Sequence, residues 1–381
     1  MFLAASFTAY LAVLFARSTG SFTRFPADPG YLYIQEAADK GFASLTFGDP
    51  YFHIAARALA WLTSFAPLAW HAVVLSTLVH LVWAACAVCV AYVVSLESLP
   101  KWIAALAGLL LVSAPHASES SIGNIGNIKW PLLAAAIVIC SSAHITTFRQ
   151  IGVMGLLIVT GLTQPIAILC LFPLLYLGIK ESGARRALFP LAFSLLATSA
   201  LQIVKVGLPA ATTGRSEKIT EPWDGMGVFW WSGLLGPIVL GISVFVLLQT
   251  LPSGSLRQTS TNLSVLSVVL TSVSYLMGGI ADRYFVGPLT LACIGGLLAL
   301  SGLGFISNRS RSVVVMLAIS LLMIPTGKWF FASHYLTSGP KWSTEVQEAR
   351  ELCKQVPQSV VRLEVAGGST VELDCEYVLR G

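Results

Sequence analysis

The sequence predicts an all-α membrane protein with about eleven transmembrane helices and a small external α/β tail. Composition is the first reason: apolar residues make up 55% of the 381 positions, charged residues 11%, and the mean hydropathy is +0.77. These values lie outside the range of water-soluble globular chains. The second reason is that apolar stretches approaching the roughly 20 residues of a membrane span recur along most of the chain.

The predicted spans can be read in chain order. They cover approximately residues 2–17, 68–95, 101–116, 130–146, 151–164, 165–179, 187–207, 228–250, 262–280, 287–306 and 312–332. The stretches at 151–164 and 165–179 are short, and Gln164 and Pro165 separate them. Because proline ends or kinks a helix, these two are expected to be half-helices that meet inside the membrane.

Charge asymmetry predicts the orientation. With the amino terminus in the cytoplasm, the cytoplasmic side receives Lys101, Arg149, Lys180, Arg185, Arg186, Arg257, Arg309 and Arg311. Glu97 and Glu181 are the only acidic residues on the cytoplasmic side, so sixteen of the eighteen acidic residues fall on the opposite side. This pattern follows the positive-inside rule and predicts a multi-pass protein of the cytoplasmic membrane with an external carboxy terminus.

Two regions follow from this topology. Residues 1–332 form the transmembrane region, with external loops at 18–67, 117–129, 208–227 and 281–286, and residues 333–381 form the external tail. In the first loop, apolar residues recur at helical spacing from Ile54 to Phe65, beside His53 and Arg57. This spacing predicts an amphipathic helix lying along the membrane surface before the second span.

The tail carries a hairpin signal and two cysteines. Val361, Leu363 and Val365 alternate with charged residues, and after two glycines Val371, Leu373, Cys375 and Tyr377 do the same. This alternation predicts two antiparallel strands. Cys353 and Cys375 are the only cysteines placed outside, where an oxidising environment permits pairing, and they are expected to form a disulfide. The other five cysteines lie in apolar spans and behave as small apolar residues.

Several function classes lose support. The basic residues form no long run, which argues against a nucleic-acid partner despite the net charge of +5. The chain has no phosphate-binding P-loop, no H-E-x-x-H and no G-x-S-x-G, so ATP-driven transport, zinc proteolysis and serine hydrolysis are not indicated. No soluble α/β segment is long enough to bind a nucleotide sugar.

Polar residues expected near the outer membrane surface fall into three groups. The first begins at Asp28, in an Asp-Pro-Gly sequence about ten residues past the first span, and continues to Glu36 and His53 in the same loop. Asp-Pro-Gly is also a good turn sequence, so a solvated turn is the alternative interpretation.

The second group runs from Glu119 through Asn124 and Asn127 to Lys129, just before a predicted span. Its amides and ammonium group suit sugar hydroxyls and phosphate oxygens. The alternative is a capped helix start with Lys129 and Trp130 as interfacial anchors.

The third group is the turn that contains Arg283 and Tyr284. A guanidinium group pairs with two phosphate oxygens and the neighbouring phenol adds a donor, although Arg283 could instead pair with Asp282.

These features together resemble the multi-spanning GT-C-type glycosyltransferases of bacterial surface polysaccharide pathways. The resemblance rests on the run from Pro115 through Glu119, Asn124 and Asn127 to Trp130, the Arg283-Tyr284-Phe285 turn, the long first loop bearing Asp28, and the external cysteine-containing tail. As an architecture it covers most of the chain.

The resemblance implies transfer of a sugar from a polyprenyl-phosphate donor to a glycan or lipid acceptor on the outer face of the membrane. A loop carboxylate would act as general base or metal ligand. Asp28 occupies the matching loop and Glu119 is the competing candidate. A divalent metal ion remains open as a cofactor. Arg283, Tyr284 and Lys129 would bind the donor phosphate, and Asn124, Asn127, Glu36 and His53 would bind sugar hydroxyls.

Two other functions stay open. A transporter or flippase of lipid-linked saccharides would bind substrate near the midplane with ionisable groups inside broken helices. The sequence places few charges within its spans, which favours an enzyme. A saccharide polymerase or ligase would share the external site but use a diphosphate-linked donor.

Overall fold

The computed structural model describes residues 1–25, 30–46, 52–97, 99–113, 122–206, 254–278, 286–302, 339–357, 359–366 and 368–380. These residues are mostly helical. The helices of the amino-terminal half are α1 (Phe2–Arg17), α2 (Gly30–Lys40), α3 (Ile54–Thr63), α4 (His71–Ser95), α5 (Lys101–Val112), α6 (Lys129–Ser141), α7 (Gln150–Thr163), α8 (Leu171–Lys180) and α9 (Arg185–Val206). They are followed by α10 (Ser255–Gly278), α11 (Val286–Gly302), α12 (Trp342–Gln355), strands β1 (Val360–Glu364) and β2 (Thr370–Asp374), and α13 (Cys375–Arg380).

Helix α6 lies at the centre of the bundle. All of its side chains from Trp130 to Ser141 are buried, and it contacts α4, α7, α10 and α11. A helix that is apolar on every side is stable only where neighbours surround it completely, which accounts for this position. Helix α11 is buried in the same way and pairs with α10.

Serine hydroxyls join α10 to α11. Ser260 donates to the carbonyl of Gly295 and Ser267 to that of Pro288, both at 2.7 Å. Such hydroxyl bonds are a common means of holding helices together in an apolar surrounding.

Among the described residues, two helices are long and apolar enough to cross a membrane: Leu68–Ser95 and Ser182–Lys205. The other apolar helices at predicted spans, such as α1, α5, α6, α7 and α11, have between 10 and 17 residues. Helix α10 is long, but its many serines and threonines make it less apolar. The predicted number of eleven spans is therefore not supported, since crossing takes about 20 residues. The spans predicted at 228–250 and 312–332 lie outside the described residues.

The break predicted at Gln164 and Pro165 is present. Helix α7 ends at Thr163, Gln164 is extended, and a 3-10 turn over Pro165–Cys170 leads into α8. Proline disfavours the helical conformation at the preceding residue, which accounts for the extended Gln164.

The tail is the small α/β unit that the sequence predicts. Strands β1 and β2 pair antiparallel, with Val361 opposite Leu373 and Leu363 opposite Val371. Cys353 of α12 and Cys375 form a disulfide with their Cα atoms 5.1 Å apart, which confirms the predicted pair. One detail differs: β2 ends at Asp374, and Cys375 begins helix α13 rather than continuing the strand.

The amphipathic helix predicted in the first loop is α3, and α2 and α3 contact each other. The bundle has one end at which α1 stops and α4 starts, and the first loop covers it. We call this end the loop face. The ends of α7 and α9 and the start of α6 also lie there, and the candidate site is built from these elements.

Candidate functional site

An ion pair joins the two helices of the first loop. The guanidinium group of Arg57 on α3 pairs with the carboxylate of Glu36 on α2 and donates to the carbonyl of Ser44 at 2.9 Å. Arg57 also lies over the ring of Tyr33, with its Cζ 5.0 Å from the ring centroid. Arg57 is 2% exposed, and a buried guanidinium is stable only with such partners. Glu36, predicted to bind sugar, is thus already engaged as a counter-ion.

His53 occupies a strained position beside this pair. It precedes α3 with a φ of 47°, the left-handed conformation that non-glycine residues adopt at a cost. Its ring lies 5.8 Å from that of Tyr33. Burial, and then the positive charges of Lys129 and Arg57, lower its pKa to about 3. The imidazole is therefore neutral near pH 7 and able both to donate and to accept a hydrogen bond.

Hydrogen bonds tie the start of α3 to the bundle at the broken helix. The backbone N–H of Ala55 donates to the hydroxyl of Thr163 at 3.2 Å. The next residue, Gln164, donates its side-chain amide to the carbonyl of Lys129 at 3.0 Å. The extended backbone at Gln164 thus places side chains of the α7 end between the first loop and the start of α6.

Gln202 and Lys205, on the last turn of α9, hold the same part of the loop. The Gln202 amide accepts from the backbone N–H of Phe52 at 3.3 Å and donates to the carbonyl of Leu162 at 2.7 Å. The Lys205 ammonium donates to the carbonyl of Thr46 at 2.7 Å and lies 4.2 Å from the Phe52 ring centroid. Sequence reasoning missed both residues, because polar residues at a helix end give no signal of contact with a loop about 150 residues earlier.

The turn before α6 carries Asn124, Asn127 and Lys129. The Asn124 side-chain carbonyl accepts from the backbone N–H of Gly126 at 2.8 Å, so Asn124 caps the 3-10 turn Ile125–Asn127. The alternative interpretation of a capped helix start is thus correct for this atom. The other side-chain atom of Asn124, the fully buried Nδ2, has no hydrogen-bond partner within the part of the chain that the structure describes. Buried polar atoms usually bind a partner, so this donor suits a polar ligand or a water molecule.

The structure brings five predicted site residues to the loop face. Glu36 and His53 meet through Arg57 and Tyr33, Asn124, Asn127 and Lys129 share one turn, and the charge of Lys129 acts on His53. The remaining candidates, Asp28, Glu119, Arg283 and Tyr284, lie outside the described residues. The roles assigned to all nine stay predictions.

Lys129 itself begins α6, and its ammonium lies 5.5 Å from the Trp130 ring centroid. Within the described ranges, no group of three or more His, Cys, Asp or Glu side chains could hold a metal ion. The question of a divalent metal stays open, because the two candidate carboxylates, Asp28 and Glu119, are not among these residues.

Comparison with family models and with curated proteins supplies no relative from which a role could be carried over. No family model matches the chain, and no curated protein matches it significantly.

Proposed function

We propose that the protein is a membrane glycosyltransferase. It would transfer a sugar from a polyprenyl-phosphate donor to a cell-envelope glycan or lipid acceptor on the outer face of the cytoplasmic membrane. One observation carries this proposal: the described part of the loop face holds three cationic side chains, Arg57, Lys129 and Lys205, against the two carboxylates of Glu36 and Asp39 on α2. An excess of positive charge at the end of an apolar bundle suits a phosphate on a lipid.

The proposed donor subsite contains Lys129. Its ammonium group would bind a phosphate oxygen, with Arg283 and Tyr284 completing the contacts. Asn124 Nδ2 would donate to a sugar hydroxyl, because it is buried and has no described partner. Neutral His53 would donate or accept without adding charge, and Asn127 and Glu36 would line the same subsite.

The proposed reaction is a direct displacement. The carboxylate of Asp28, or of Glu119, removes the proton of an acceptor hydroxyl while that oxygen attacks the anomeric carbon. The bond from this carbon to the donor phosphate breaks, and the lipid phosphate leaves with the electron pair. Fixed cations stabilise the charge that develops on the leaving group, and a single displacement inverts the anomeric carbon.

The membrane placement is part of the proposal. The amino terminus would be cytoplasmic, the tail external, and the chain multi-pass, with about eleven crossings that include short and broken helices. The disulfide of the tail supports an external tail, because disulfides persist in oxidising surroundings. Reporter fusions after Arg311 and Trp342 test this placement: the first is expected inside and the second outside.

A lipid-linked saccharide transporter is the second candidate, and Glu97 is the observation in its favour. Glu97 is 5% exposed, at the end of the bundle opposite the loop face. Its carboxylate accepts from the hydroxyl of Thr259 at 2.9 Å, and its second oxygen lies 4.0 Å from His144 Nε2. Buried acids within membrane bundles often serve transport. If Glu97→Gln abolishes transport by protein in vesicles while no sugar transfer is detectable, this candidate replaces the enzyme.

Catalysis is tested with purified protein and a synthetic polyprenyl-phosphate sugar. Asp28→Asn or Glu119→Gln, whichever removes the base, is expected to lower turnover by roughly 10²–10⁴-fold with donor binding retained. Wild-type transfer rates in both variants would show that neither carboxylate is the base and would remove the catalytic assignment.

Donor binding is tested at Lys129. Lys129→Gln is expected to weaken binding of the same lipid by roughly tenfold or more, because a charge-assisted contact to phosphate is lost. Lys101→Gln is the matched control, since Lys101 is an exposed lysine at the opposite end of the bundle. Equal effects of the two substitutions would place the donor phosphate away from Lys129.

A further inference from the structure

Three aromatic rings of the first loop form one cluster, in which Trp61 contacts both Phe42 and Phe65. Trp61 of α3 lies 5.4 Å from Phe42 and 5.0 Å from Phe65 by ring centroids, both edge to face. Phe42 is 67% exposed and Phe65 is 70% exposed, and the neighbouring Leu62 is also exposed. We call Phe42, Trp61, Leu62 and Phe65 the aromatic patch.

The patch lies on the side of α3 that the protein does not cover. Ala56, Leu59, Ala60 and Thr63 on the other side are buried against the bundle, together with Arg57. Leaving a phenylalanine side chain in water instead of burying it costs about 1.5–3 kcal/mol. Contiguous apolar surface of this kind marks an interaction site.

The position of the patch favours lipid as its partner. Helix α3 ends at Thr63, and the apolar helix Leu68–Ser95, long enough to cross a membrane, begins a few residues later with Trp70 exposed. The patch therefore borders the surface that this helix would present to acyl chains. Exposed aromatic rings collect at the boundary between headgroups and acyl chains, and helices with one apolar face lie in the plane of that boundary.

We infer that the aromatic patch is immersed in the outer leaflet, at the boundary between headgroups and acyl chains. This inference rests on the membrane placement proposed above and adds the depth at which the candidate site lies relative to the lipid headgroups. Arg57 precedes Trp61 by one helical turn, so it lies on the flank of α3 between the patch and the bundle, within the helix thickness of about 10 Å from the patch. Arg57, His53 and Lys129 then lie at headgroup height, where Lys129 reaches the phosphate of a lipid that remains in the bilayer.

Phe42 shows that the aromatic patch is not formed by the amphipathic helix α3 alone. It belongs to the 3-10 turn Gly41–Leu45 that follows α2, so a second segment of the loop contributes to the same surface. Two segments of the loop would therefore be held at the membrane, and the Arg57–Glu36 ion pair links the helices that precede and carry them.

The test is the accessibility of nitroxide labels in the full chain reconstituted in lipid nanodiscs. Cys89, the exposed free cysteine among the described residues, is first replaced by alanine. Single labels are then placed by Phe65→Cys, by Phe42→Cys on the second segment, by Leu81→Cys on the exposed side of α4, and by Gln347→Cys on the exposed side of α12. Collisions with oxygen, which concentrates in the bilayer, are compared with collisions with a water-soluble nickel chelate.

The expected result is that labels at positions 65, 42 and 81 favour oxygen several-fold more than the label at 347. The inference is wrong, and the membrane placement stands, if the label at position 81 favours oxygen while the labels at 65 and 42 are as accessible to the nickel chelate as the label at 347. Labels at 65 and 42 that are shielded from both reagents would show that protein covers the patch, which also overturns the inference. If 81 resembles 347 as well, the membrane placement itself fails, and the inference fails with it.

Discussion

The indole nitrogen of Trp342 donates a hydrogen bond to the carbonyl of Leu68 at 2.7 Å, in the fully buried seam between the tail and the start of α4. The ring also lies 4.8 Å from that of Phe25. Backbone bonds from Trp342 to Thr23 and from Ala366 to Phe25, both at 2.9 Å, complete the contact. The tail is thus docked on the first loop and on α4.

Trp342→Phe is expected to destabilise this docking by about 0.5–1.5 kcal/mol, because it removes one hydrogen bond to the Leu68 carbonyl, which keeps the bond from the backbone N–H of His71. Thermal unfolding and protease sensitivity of the tail measure the effect. Trp102→Phe is the matched control, since Trp102 is 46% exposed. Equal stability of the two variants would mean that the indole bond contributes nothing to docking.

Removing the Cys353–Cys375 disulfide by a double serine substitution is expected to lower stability on the order of 3 kcal/mol, through the freedom regained by the unfolded chain. The two residues are separated by 22 positions. Denaturant unfolding of the full chain gives the value. In addition, both cysteines should resist thiol labelling in denatured, unreduced wild-type protein, and full labelling there would refute the bond.

The pH dependence of stability should report on His53. The unfolded imidazole binds a proton near its ordinary pKa of 6.5, whereas the folded one does so only near 3. Between these values the unfolded state holds more protons, so stability falls as the pH falls from about 6.5 towards 3, by at most about 1.4 kcal/mol per pH unit. His53→Gln should flatten this slope, measured by thermal unfolding between pH 7 and pH 5. An unchanged slope would place the histidine in water.

Two glycines in helices provide a paired test of packing. A Cβ atom on Gly108 of α5 would lie 2.6 Å from the carbonyl oxygen of Ala87 and would also overlap the Tyr10 hydroxyl, whereas one on Gly155 of α7 would meet nothing within 4 Å. Gly108→Ala is therefore expected to destabilise the protein by about 1–3 kcal/mol. Gly155→Ala should stabilise it by up to about 1 kcal/mol, because alanine favours the helix. Similar unfolding temperatures for the two variants would contradict the close approach of α5 to α4.

The sequence predicted the local elements well, because their causes are local. Alternation in the tail placed β1 and β2, periodicity placed α3, and Pro165 marked the broken helix. The disulfide could be predicted because topology left only two candidate cysteines. The described helices do not support the predicted number of spans, because hydropathy extends through loops and turns: α5, within the predicted span 101–116, ends at Val112.

By itself, the sequence determined a helical, strongly apolar chain with a hydrophilic, disulfide-linked tail. Only the tertiary structure decided that Glu36 forms an ion pair with Arg57 and that Lys205 lies against the first loop. It also decided that the buried Nδ2 of Asn124 has no hydrogen-bond partner among the described residues. The physical reason is distance along the chain. Lys205 and Thr46 are 159 residues apart, and no periodic pattern encodes a contact that forms only when two helix ends meet.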